Sequence, residues 1–292
     1  MKKCITTLIL FCLGFVSFGQ VTYSVSTIPY APDPYNVGTN IGIPFDDYFS
    51  GVIPIGFTFN FFGNNYNSMV ISSNGSVTFN TSNANTGCPW STLGITLPDA
   101  TASYMFNSIL SPFHDIDPSV SSQGANNIRV ALKGVAPYRR CVISYDSISL
   151  FSCNTIKFSN QVILYETTHI IDINIQNKPI CTNWNGGVAF LGVQNDGGTD
   201  AYIPTGYNGT QWTASQESWR FTPSNAGPSN PNTCKVKGTI FFDSNGNCIN
   251  DVGEWPNVNR FVLTASGNYY AYTDVNGNYE MTVPPGAHDI VH

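Results

Sequence analysis

Two strand patterns meet within residues 53–79, IPIGFTFNFFGNNYNSMVISSNGSVTF, and together they commit this part of the chain to β-sheet. Ile53, Ile55, Phe57, Phe59 and Phe61 recur at every second position, the period of a strand that buries one face, while Pro54 and Gly56 fall on the other face. A few residues on, Val70-Ile71-Ser72-Ser73 and Ser76-Val77-Thr78-Phe79 bracket Asn74-Gly75. That dipeptide most readily takes positive φ at both centres of a type I′ turn, so the expectation is a tight antiparallel hairpin with Asn74 and Gly75 at its tip.

The signature repeats downstream. Residues 128–132, 140–150, 156–166, 169–175, 187–194 and 218–222 have no helical period, and several are rich in β-branched residues. Thr167-Thr168 reads as a two-residue turn that would set Glu166 and His169 opposite each other as a polar cross-strand pair. Before these strands, residues 20–51 read as an extended leader with room for one strand, and residues 80–104 as a long polar loop around Cys88-Pro89-Trp90. Short strands with Gly and Asn turns at this spacing argue an all-β fold, here a large antiparallel β-sandwich. Pro223 to Asn232 holds three prolines (Pro223, Pro228 and Pro231) and no apolar pattern, which marks a linker. Beyond it, residues 235–242, 261–264, 269–273 and 279–283 read as strands of a small second β-sandwich of immunoglobulin-like or prealbumin-like type. At 292 residues two domains are the natural prior. The expected division is a large domain at 20–222, a linker at 223–233 and a second domain at 234–292, incomplete because a new strand begins just before His292.

Residues 1–19 carry Lys2-Lys3, an apolar run from Ile5 to Phe18, and small residues at Ser17 and Gly19, which is the pattern of a secretory signal peptide cleaved before Gln20. The run falls short of the roughly 20 residues that span a bilayer, and no later segment qualifies, so no integral membrane segment is expected after cleavage. Only 10% of the residues are charged and the formal net charge is -6, leaving no basic stripe to neutralise phosphates, so nucleic acid is excluded as a partner. An exported chain with an even set of cysteines implies disulfides. Cys4 and Cys12 leave with the signal peptide, and Cys88, Cys141, Cys153, Cys181, Cys234 and Cys248 remain. Proximity in sequence pairs Cys234 with Cys248 and Cys141 with Cys153, and elimination leaves Cys88 with Cys181.

The sharpest chemical motif lies in the second domain. Asp243, Asn245, Asn247, Asp251 and Glu254 occupy positions 1, 3, 5, 9 and 12 of a twelve-residue loop, with the Ile249 carbonyl at position 7. This is the spacing that wraps a hard cation in six to eight oxygens, so the cofactor expected is Ca2+. Cys248 stands at position 6, where glycine normally makes the sharp bend. His114, Asp115 and Asp117 form a second group, but on a strand His114 points away from the two acids. They read as surface carboxylates at a strand end, with a second weak calcium site as the lesser alternative. No G-x-S-x-G elbow, H-E-x-x-H helix or phosphate-binding glycine loop is present, so the chain does not read as an enzyme.

Residues 234–292 resemble the B-type repeat of serine-aspartate surface adhesins and, more loosely, the collagen-adhesin B and carboxypeptidase-regulatory-like folds, through GTIFFDSNGNCINDVGE, TDVNGNY and VPPGAH. Residues 40–222 resemble the nidogen-like β domains of large bacterial surface proteins, through IGFTFNFFG, ISSNGSVTF, SPFHDID and SWRF. These resemblances imply a secreted or cell-surface adhesion or structural protein with a calcium-stabilised stalk-type module, whose partner is a surface protein or a glycan. The alternative is a glycan-binding accessory region of a larger exported hydrolase or peptidase.

Overall fold

A computed structural model describes residues 20–43, 45–120, 127–227, 234–265, 267, 269–283 and 288–292. The expected signal peptide, residues 228–233 of the expected linker and the side chain of Cys234 lie outside the described residues. In chain order the strands are β1 Tyr23–Ile28, β2 Thr39–Asn40, β3 Ile53–Phe61, β4 Asn64–Ile71, β5 Ser76–Thr78, β6 Ser108–Phe113, β7 Ile116–Asp117, β8 Ile128–Lys133, β9 Arg140–Leu150 and β10 Cys153–Tyr165. They continue as β11 Ile171–Lys178, β12 Val188–Gln194, β13 Ala201–Tyr202, β14 Asn208–Gln211, β15 Ala214–Pro223, β16 Cys234–Thr239, β17 Phe261–Thr264, β18 Tyr270–Tyr272, β19 Asn278–Val283 and β20 Ile290–Val291. Apart from short 3₁₀ turns there is no helix among the described residues, and none is long and apolar enough to cross a membrane.

Two antiparallel sheets face each other. The first runs β1-β15-β11-β10-β9-β8-β2 with β7 added beside β9; the second runs β13-β12-β6-β5-β4-β3 with β14 also on β12. Their inner faces fill one core in which Phe59, Met69, Val77 and Ile109 of the second sheet meet Ile143, Phe158, Val162 and Ile173 of the first. The alternation read in residues 53–61 holds: Ile55, Phe57, Phe59 and Phe61 are buried while Pro54, Gly56 and Thr58 are exposed. Residues 80–104 form the expected loop, and a few of its apolar side chains cover the outer face of the second sheet. Leu97, Ala102 and Met105 cluster there with Val70, Leu110 and Phe113, so β6 and the last residues of β4 are buried on both sides. A separate small core, Ile240, Val262, Ala271, Met281 and Val283, lies between the β16-β19 pair and the β18-β17-β20 sheet.

The leader is more ordered than its composition implied. β1 pairs along its length with β15, from Tyr23↔Pro223 to Ile28↔Ser218. Asp33 is fully buried: its N–H donates to Gln161 Oε1 at 2.8 Å, and its carboxylate meets Lys133 at 3.2 Å and Arg140 at 3.5 Å.

The Asn74-Gly75 hairpin exists, but not as the exposed type I′ turn. Val70↔Thr78 and Ile71↔Val77 pair, yet of the two tip residues Gly75 alone has positive φ, at 81°, and Asn74 is fully buried. The tip is driven into the molecule. A Cβ built on Gly75 would sit 2.1 Å from the Pro112 carbonyl oxygen, and Ser111 donates to the Gly75 carbonyl through its N–H (2.9 Å) and its hydroxyl (3.0 Å). Tyr145 reaches across from the first sheet and donates its hydroxyl to the Ser72 and Ser76 carbonyls.

The cysteine pairing also differs. Cys153 bonds Cys181, joining the start of β10 to the segment that follows β11. Cys141 cannot reach Cys153 because the β9-β10 register places Cys141 opposite Leu164 and Cys153 opposite Leu150, at opposite ends of the hairpin. Cys88 and Cys141 are free and buried in separate apolar clusters, so neither the Cys141–Cys153 nor the Cys88–Cys181 bridge forms. Cys248 is free and exposed.

Two outcomes follow from this packing. Gly75→Ala should destabilise the chain by at least about 2 kcal/mol in urea unfolding, since the added methyl meets backbone that cannot yield; an unchanged midpoint would contradict the buried tip. Peptide mapping without reductant should recover Cys153 joined to Cys181, and breaking that bond should cost about 3.5 kcal/mol in the chain-entropy model for its 28-residue separation.

Candidate functional site

Residues 243–254 fold as a loop organised by carboxylates and side-chain amides. Asp243 Oδ1 accepts the N–H of Gly246 at 2.7 Å and of Asn247 at 3.3 Å, and Oδ2 accepts that of Cys248 at 2.7 Å. The Cys248 N–H foremost, followed by those of Gly246 and Asn247, holds the Asp243 carboxyl below its usual range. Asn247 Oδ1 accepts from the Ile249 N–H, and Glu254 closes the loop by accepting from the N–H groups of Ser244 (2.8 Å) and Asp251 (3.1 Å). Asn245 and Asn247 both donate to Asp251 Oδ2 at 2.8 Å. The sharp bend expected at position 6 is present, with Cys248 at φ 61°, a conformation that disfavours any residue but glycine. Asp243, Asn245, Asn247, Asp251 and Glu254 are thus joined in one hydrogen-bonded loop, and the Ile249 side chain points to solvent. The three carboxylates are not gathered tightly, however. Among the described residues the acids whose oxygens converge to within 4.8 Å of one another are Asp46, Asp47 and Asp115.

That second group overturns one sequence reading. His114, Asp115 and Asp117 are buried, at 5%, 8% and 6% exposure, and are not surface carboxylates. The chain bends at residues 114–115 as it leaves β6 in one sheet and enters β7 in the other, which breaks the strand geometry that would have kept His114 and Asp115 apart. Asn74 fixes the bend: its carbonyl accepts the His114 N–H, its Oδ1 accepts the Ile116 N–H, and its Nδ2 donates to Asp47 Oδ1 at 2.9 Å. Trp184 Nε1 donates to Asp115 Oδ2 at 2.5 Å. Burial pushes Asp46 up to about 7, helped by the charges of Asp47 and Asp117, and burial likewise pushes Asp115 up to about 7. His114 and Asp115 also line a small cavity with Lys178 and Trp184, of about 20 Å³, which is room for one water. Lys178 is nearly inaccessible, donates to the Trp212 carbonyl at 3.0 Å, and is pushed down to about 8 by burial.

Asp46 and Asp47 were missed because they sit in the leader, far in sequence from Asp115. The available signal was an adjacent acid pair in a chain with few charges.

Glu166 and His169 do not face each other across a two-residue turn. β10 ends at Tyr165 and β11 begins at Ile171, leaving a wider loop in which Thr167 and His169 have positive φ. Glu166 instead takes a bidentate pair from Arg139, at 2.8 and 2.6 Å, and His169 Nδ1 accepts the N–H of Asn60 at 3.3 Å. These residues line an open groove of about 710 Å³ with Pro54, Thr58 and Asn67, and a second groove of about 580 Å³ is lined by Tyr30, Tyr272, Tyr279, Lys237 and Asp274.

His169 makes one test of this geometry. Burial lowers its pKa, so below its unfolded value of about 6.5 the unfolded chain takes up a proton that the folded chain resists, and stability is lost as pH falls. His169→Asn tolerates the positive φ and keeps an acceptor. Its unfolding free energy should therefore be flatter than that of the parent between pH 7 and pH 5, read by urea titrations; parallel curves would contradict the neutral acceptor role.

Comparison with known proteins gives one positive finding. No curated protein and no solved structure matches the chain. The family model described as NIDO related matches residues 22–235, which takes in both sheets of the large sandwich and reaches further toward each terminus than the stretch of nidogen-like resemblance read in the sequence. By that match the chain belongs to the NIDO-related family.

Proposed function

We propose that this chain is a secreted or cell-surface protein with an adhesive or structural role, and that residues 234–292 form a calcium-stabilised stalk-type module. Its membership of the NIDO-related family supports both the extracellular placement and the adhesive or structural role. The observation that carries the calcium reading is the loop at 243–254, where the first carboxylate is already oriented by three backbone N–H groups and Glu254 closes the ring. Asp243, Asn245, Asn247, the Ile249 carbonyl, Asp251 and Glu254 would supply the oxygens, and Ca2+ would draw together carboxylates that otherwise repel. The resemblance of the same residues to adhesin B-type repeats points the same way. The partner on this reading is a surface protein or a glycan.

Modules outside cells work with dissociation constants of about 10⁻⁴ to 10⁻³ M. Calcium at a hundredfold excess over its dissociation constant stabilises the folded state by about 2.7 kcal/mol. Calorimetry of the exported chain in chelator and in millimolar calcium should therefore show an upward shift in the transition that reports the 234–292 core. The shift should vanish in Asp243→Ala and in Glu254→Gln. A shift of equal size in both variants would remove the loop from the account.

A further inference from the structure

The carboxylates of Asp46, Asp47 and Asp115 come from two separate segments, and each presents an oxygen within 4.8 Å of the other two. Each is held by one donor. The Asp47 N–H meets Asp46 Oδ1 at 3.0 Å, Asn74 Nδ2 meets Asp47 Oδ1 at 2.9 Å, and Trp184 Nε1 meets Asp115 Oδ2 at 2.5 Å. The second oxygen of each receives no hydrogen bond among the described residues, and no lysine or arginine there pairs with any of the three. For Asp115 this is costly, because its side chain is 8% exposed and Oδ1 is closed off from solvent with no partner at all. Asp117, itself buried, adds a fourth negative charge nearby, although its Oδ1 is taken by the N–H and hydroxyl of Ser119.

We propose that Asp46, Asp47 and Asp115 bind a hard divalent cation of the calcium type, which pins the leader to the crossover between the two sheets. Three converging carboxylates, each fixed through one oxygen and each with its other oxygen free of any hydrogen bond among the described residues, make a donor set with no nitrogen or sulfur in it. Such a set selects calcium or magnesium over zinc. Asp46 and Asp47 are only half-buried, which leaves a side open through which the ion enters and on which waters complete its shell. The site is independent of the 243–254 loop, and either can stand without the other.

The test uses the full exported chain carrying Asp243→Ala, so that the loop cannot answer for the cluster. Terbium stands in for calcium, and Trp184, hydrogen-bonded to Asp115, is the sensitiser. Saturable terbium emission that excess calcium displaces is expected, with loss of that emission in Asp46→Asn/Asp115→Asn. Asparagine keeps the shape of both side chains and the acceptor for Trp184, and near-ultraviolet circular dichroism checks that the fold is kept. If the double variant fails to fold, Asp46→Asn alone should weaken terbium binding by about tenfold or more. Emission that is absent in the Asp243→Ala chain, or that persists unchanged in the cluster variants, overturns the proposal. Absent emission is the result expected if a water in the neighbouring cavity, and not a cation, serves Asp115, and persistent emission is the result expected if terbium binds elsewhere on the chain. The calorimetric test of the loop is read on the Asp243→Ala and Glu254→Gln comparison and is unaffected by either outcome.

Discussion

The contact on which most of this fold turns is the burial of the Asn74-Gly75 tip against Pro112. A hairpin tip normally faces water, where its backbone groups need no protein partner. Here the tip is buried against the end of β6, so its amides and carbonyls must be met from inside the protein. Ser111 meets the Gly75 carbonyl, Tyr145 meets the carbonyls on either side, and Asn74 spends its own carbonyl and side chain on His114, Ile116 and Asp47. Because Asn74 fixes residues 114–116, it also fixes where the chain changes sheets. Because it holds Asp47, it fixes where the leader carboxylates meet Asp115. Glycine is required at the next position for a simple steric reason: no side chain fits in front of the Pro112 carbonyl.

The low charge content becomes intelligible in the same terms. The interior is laced with small polar groups, among them Ser72, Ser73, Ser76, Ser111, Asn160, Gln161 and Asn174, all almost wholly buried. Asn160 on β10 donates to the Ser111 carbonyl on β6, a bond between sheets, and Gln161 holds both the N–H and the carbonyl of Asp33. Neutral amides and hydroxyls satisfy buried backbone at less desolvation cost than ions would exact. Some buried ions are matched, as in the bidentate pair of Arg220 with Asp172, and the acids around Asp115 are the exception.

What the sequence disclosed was local. The alternation in β3 and the bounds of β8, β9 and β17 are set by the residues inside them, and they stand within a residue or so of where the pattern placed them. The donor spacing in residues 243–254 was legible for the same reason, as was the positive φ demanded of Cys248. Most of the failures involve partners distant in the chain, the turn at Thr167-Thr168 being a local one. Asn-Gly prefers a type I′ turn in isolation, but the approach of Pro112 decides its conformation. Cys141 and Cys153 lie close in sequence, yet two long strands carry them to opposite ends of one hairpin. The polar composition of residues 80–104 hid the few apolar side chains that cap the second sheet, and nothing near Asp46 and Asp47 announces Asp115.

The pairing of β1 with β15 gives the sandwich a particular response to mechanical load. These strands are the first and last of the large domain and lie side by side, antiparallel, with Tyr23 opposite Pro223 at the end where both chain segments leave the domain. Tension between those segments bears on one rung of the ladder at a time, so the pair opens like a zipper from Tyr23 and Pro223 toward Ile28 and Ser218, with no rung sharing the load of the next. Were a load applied across both segments, β1 would peel away first, while the inner strands of both sheets kept their places. The domain would then lengthen under strain without losing its core.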